Sequence, residues 1–211
     1  MKRKSKYIGI VFYGILLLVS FLGICSNIYA IVDLIQYKVS NAISYITEII
    51  FLIGNVLVLV IAIFGLANVA LNLTKDTYTQ KHVSFLGISI SGINLIYRIV
   101  VFFYFIVNDY KSNFQEGLLF LICCGGFVLA ILALSTYSKK NHSMFMIISL
   151  ALLITCNVDG GAGVVLTFIY IFKKLGLVCG IIYVIFANVD ALNDNNENTL
   201  KDNNENNDLT L

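Results

Sequence analysis

Apolar residues in this chain come in long unbroken runs, separated by short polar gaps. The runs cover 7–32, 43–73, 83–107, 117–137, 143–158 and 161–188. A helix needs about 20 residues to cross a hydrocarbon layer of about 30 Å. The first four runs reach that length. The fifth is short, and Lys173 and Lys174 interrupt the sixth. No run alternates apolar and polar residues as a membrane-barrel strand does. Inside lipid the backbone must satisfy its own hydrogen bonds, which leaves helices. The predicted fold is all-α: a polytopic transmembrane helical bundle of five to six spans. The chain has no proline, so no span is expected to carry a proline kink.

Residues three, four and seven apart share a helix face. The first run places Ser20, Gly23, Asn27 and Ala30 on one face, and the second Glu48, Asn55, Ala62, Gly65 and Asn72. The third carries Gly87, Ser91, Asn94 and Arg98, and the fourth Cys123, Gly126, Ala130 and Ala133. The last holds the GxxxG pair Gly176 and Gly180. Small faces let helices approach closely, and Ser and Asn hydrogen-bond across them. The expected partners are the lipid bilayer, a second copy of the chain, or other membrane proteins meeting these faces. Nucleic acid is not among them.

Composition agrees with the pattern. Hydrophobic residues are 59% of the chain and charged residues 12%. Soluble domains lie near ~45–50% and ~25%, so the surplus apolar surface needs lipid as its solvent. The basic residues set the orientation. Lys2, Arg3, Lys4, Lys6, Lys75, Lys81, Lys139 and Lys140 fall on one side of the predicted spans, against Lys38 and Lys111 on the other. The positive-inside rule then places both ends in the cytoplasm, with the chain integral to a membrane, expected to be the cell membrane. The first run reads as an uncleaved span, because its apolar stretch exceeds a signal core of about 7–15 residues.

Three regions follow: a basic cytoplasmic start at 1–6, a transmembrane domain at 7–188, and a tail at 189–211. The tail is rich in Asn, Asp and Glu, with six acids against Lys201. Its composition predicts disorder. Asp194, Asn196, Asn198, Asp202 and Glu205 match the spacing of a calcium loop, but Thr199 stands where such a loop turns on glycine. No calcium site is expected.

Arg98 lies about nine residues below the outer end of its run, roughly 13 Å deep. An unsupported charge there costs at least ~2.5–3.5 kcal/mol. Counting around the hairpin turns brings Asn55 within reach of Arg98 and leaves Glu48 higher, level with Asn27. The candidate site is therefore a polar cluster of Arg98, Asn55, Asn94 and Glu48 in the outer half of the bundle, in which Arg98 either forms a structural pair or faces an anion. Lys173 and Lys174 are expected to snorkel toward the inner interface.

Chemistry beyond this is sparse. Cys25, Cys123, Cys124, Cys156 and Cys179 all lie in apolar runs, so no structural disulfide is expected. His82 and His142 have no clustered ligand partners, so neither metal nor cofactor is expected. Ser and Cys nucleophiles lack a nearby base. The chain reads as a non-enzymatic accessory or assembly component that binds partner helices or lipid. The alternative is a small transporter or channel using an anion-facing site around Arg98.

Overall fold

Each apolar run forms a helix in the computed structural model: α1 Lys4–Gln36, α2 Ala42–Leu71, α3 Asp76–Val107, α4 Phe114–Ser135, α5 His142–Cys156 and α6 Val164–Asp208. The structure describes the backbone of residues 4–71, 76–107, 114–136, 142–156 and 164–208. Side chains are described over 5–71, 81–104, 117–136, 142–155 and 167–190. Asn72, Lys75, Lys111, Lys139 and Lys140 lie outside the described residues. Among the described residues there is no strand.

Local chemistry fixes the first hairpin. At the end of α1 the Val39 N–H donates to Leu34 O (3.1 Å) and the Lys38 N–H to Ile35 O (3.2 Å). This double bond pattern closes a helix through a left-handed residue. That residue is Lys38, with φ 49°. Asn41 then caps α2, its side-chain oxygen accepting from the Ile43 N–H (3.1 Å).

Helix-to-helix contacts set the topology. Each helix packs on its sequence neighbours, α6 returns to α1, and α3 also meets α5 and α6. The result is a closed up-and-down ring with α3 touching four others. Register follows from named pairs. Gly23 lies against Asn55, and Gly65 against Tyr13, so α1 and α2 are antiparallel. Gly180 lies against Phe12, and Gly176 against Ile15 and Leu16, so α6 runs antiparallel to α1. The GxxxG pair is thus spent on closing the ring. At one end the Ser5 N–H donates to Asp190 Oδ2 (3.1 Å). The start of α1 and the end of the apolar part of α6 therefore emerge together.

Five helices are long and apolar enough to cross a membrane. The sixth, α5, has 15 residues, about 22 Å at 1.5 Å per residue. It is nevertheless integral to the bundle, burying Met146, Leu150 and Leu153. The apolar core fills the half nearer Ser5 and Asp190, around Tyr13, Leu16, Ala62, Leu86 and Leu177. Large apolar side chains such as Phe21, Phe64, Phe103 and Leu121 point outward, as a lipid-facing surface requires.

The α6 helix is continuous through Lys173 and Lys174, and its backbone runs on past the apolar residues to Asp208. Extending a formed helix gains a hydrogen bond per residue without a new nucleus. The apparent calcium-loop residues lie on this helical backbone rather than on a loop.

Candidate functional site

Near the middle of the bundle, polar side chains from three consecutive helices face inward. Asn27 Nδ2 donates to Glu48 Oε2 (2.8 Å). Asn55 Nδ2 donates to Asn27 Oδ1 (2.8 Å). These bonds tie α1 to α2 at two levels. Their direction has a chemical cause. An ionised carboxylate only accepts, so Asn27 must turn its NH2 group to Glu48 and its carbonyl to Asn55.

Gly23 makes the arrangement fit. A Cβ there would stand 2.6 Å from Asn55 Nδ2 and 2.8 Å from its Cγ. Only glycine lets the carboxamide lie flat against α1. On α3, Asn94 Nδ2 donates to Ile90 O (3.0 Å), and Ser91 Oγ donates to Gly87 O. Asn94 and Arg98, one turn apart, are both buried.

A cavity of about 20 Å³ lies beside this seam, between α2, α3 and α6. Its walls are Phe51, Gly54, Asn55, Val58, Ile90, Ile93, Asn94 and Lys173. Asn55 lies about 20 Å along α2 from its start at Ala42, so the cavity sits at mid-depth. Of the four residues singled out from sequence, Asn55 and Asn94 meet at this cavity. Glu48 joins them through Asn27, and Arg98 sits one turn from Asn94, outside the walls. The cation in the wall is Lys173. Lys173 is half-buried there. Lys174 instead places Nζ 4.1 Å from the centre of the Tyr170 ring, a favourable cation–π distance.

Sequence reasoning did not place Lys173 at the site, because α6 meets α3 without a connecting turn to set the level. It placed Asn27 beside Glu48 but not in the chain to Asn55. The available signal was Gly23 four residues before Asn27, a small residue and an amide stacked on one face.

A second set of polar contacts closes the end that holds Ser5. Asn68 Nδ2 and His82 Nε2 share a hydrogen bond (2.6 Å), and His142 Nδ1 donates to Ala133 O. Ser143 Oγ donates to Asn188 Oδ1 (2.7 Å). The first two bonds join α2 to α3 and α4 to α5 beside their connections, and the third ties the start of α5 to α6. Among the described residues no group of three or more His, Cys, Asp or Glu is placed to hold a metal ion. No family model matches this chain, and no curated protein or solved structure is detectably similar to it.

Proposed function

We propose that this is a non-enzymatic multi-pass protein of the cell membrane, both ends cytoplasmic, that binds a small anion inside the bundle while carrying it across. The observation that carries the reading is Lys173 lining a mid-depth cavity together with Asn55 and Asn94. An ammonium and two carboxamides supply N–H donors, and intramembrane charges mark ligand pathways by default. The volume suits one particle the size of a water molecule, which a halide ion approaches. Within the apolar runs, the described charged side chains are Glu48, Arg98, Lys173 and Lys174. Three cations against one carboxylate favour an anionic visitor.

The test is chloride efflux from proteoliposomes containing the purified chain. Wild type is expected to release chloride. Lys173→Gln, folded by thermal melting, is expected to lose most of that flux. No flux from wild type, or full flux from Lys173→Gln, would end the reading.

A second reading is an accessory component that binds partner helices or lipid. It is favoured by Gly14, which has nothing within 4 Å of where a Cβ would stand. Exposed Val11 and Leu18 flank it along α1. This open notch suits close approach by another helix. Cross-linking from cysteine placed at Gly14 tests it: capture of a second membrane helix supports the reading, and a purely monomeric product opposes it.

A further inference from the structure

We infer that the cavity selects its anion by size, taking a halide stripped of its water and refusing polyatomic anions, with Val58 and Ile93 setting the limit. The inference rests on the anion reading of the cavity and names the class of anion. Lys173, Asn55 and Asn94 supply the polar groups there, while Phe51, Val58, Ile90 and Ile93 fix the space.

A volume of about 20 Å³ holds one water molecule and falls short of two. An anion that enters must therefore leave its hydration shell behind. The ammonium and the carboxamides stand in for that shell, as the ligands of a selectivity filter do. A site that only replaced hydration would follow ease of dehydration, which places thiocyanate and nitrate ahead of chloride. Space for a single small particle reverses that order, because a halide is one atom and nitrate is several.

The walls keep their size because they are packed from behind. A Cβ at Gly54 would stand 2.6 Å from Cδ1 and 3.0 Å from Cγ2 of Ile93. Ile93 thus already lies against the α2 backbone, with no room to yield in that direction. The Phe51 ring packs on Tyr97 (ring centroids 4.9 Å). Val58 and Ile90 belong to the buried apolar core. Protein interiors are close-packed, so a larger guest would have to displace several neighbours at once.

Val58 and Ile93 are the residues to alter. Val58 lies one turn from Asn55 on α2, and Ile93 directly precedes Asn94 on α3. Shortening either one enlarges the space and leaves the ammonium and both carboxamides in place. Size is thereby separated from charge as the source of selectivity.

The experiment compares chloride with nitrate efflux from proteoliposomes containing the full chain, each corrected for empty liposomes. Wild type is expected to release chloride at least about tenfold faster than nitrate, the discrimination that a methylene's worth of space provides. Val58→Ala removes both methyl groups of the valine and is expected to raise the nitrate-to-chloride ratio about tenfold or more. Ile93→Val removes only Cδ1 and is expected to raise the ratio by a smaller factor. It carries the test if thermal melting shows Val58→Ala unfolded. Wild-type release of nitrate as fast as chloride would overturn selection by size while leaving the anion site. An unchanged ratio in the folded variants would overturn these two side chains as its cause. No chloride release from wild type would overturn both the selection and the anion reading.

Discussion

Gly65 offers the sharpest test of how α1 and α2 meet. An added Cβ would stand 2.5 Å from Cζ and 2.6 Å from Cδ1 of Tyr13, and closer still to Cε1. The ring has nowhere to retreat. Tyr13 is fully buried, with its ring centroid 4.7 Å from Phe12 and 5.9 Å from Tyr183. Gly65→Ala must therefore separate the helices or force the ring off its rotamer. Overpacking of this kind costs about 1–3 kcal/mol, and alanine's better helix propensity returns at most ~1 kcal/mol. Gly65→Ala is expected to destabilise by about 1–2 kcal/mol net. Unfolding by a denaturing detergent, read by circular dichroism, measures it. Tyr13→Ala removes the obstructing ring and destabilises on its own account by leaving a cavity. In that background Gly65→Ala is expected to be neutral or stabilising, which gives a coupling energy of about 1–3 kcal/mol. An equal cost in both backgrounds would refute the contact as the cause.

The same logic applies at Gly23. Gly23→Ala displaces the Asn55 carboxamide, so it is expected to cost about 1 kcal/mol, the worth of an interhelical hydrogen bond in a membrane, and nothing in an Asn55→Ala background, by the same unfolding assay. At the α1–α2 turn, Lys38→Gly relieves a side chain in the left-handed region and is expected to stabilise by about 1 kcal/mol; an unchanged midpoint would contradict the strain. Arg98→Leu replaces a buried cation beside Asn94. The variant is expected to stay folded and to lose chloride efflux from proteoliposomes, and wild-type efflux would exclude a role for Arg98 in the field around the cavity.

How much was legible before the structure depends on where the information lay. The runs that became α1 to α4 exceed a membrane crossing, and short turns make neighbours antiparallel. The level of Asn27 with Glu48 therefore follows from counting along one hairpin, and the two are bonded at 2.8 Å. Nothing of that kind relates α6 to α3, because ring closure is set by packing of Gly176 and Gly180 on α1. The place of Lys173 beside Asn55 and Asn94 could not be counted out for that reason. Arg98 drew attention as the charge nearest mid-span on α3, yet the cavity wall holds Lys173. The small-residue faces were visible, but their spacing does not say which helix each one meets.

We propose an even number of membrane crossings with both ends on the basic side, a reading that the Ser5–Asp190 contact supports. Reporter fusions that are active only in the cytoplasm, placed at either end of the full chain in cells, test it directly. Activity from both fusions is the expected result. Activity from one and silence from the other would contradict the six-helix ring and its orientation.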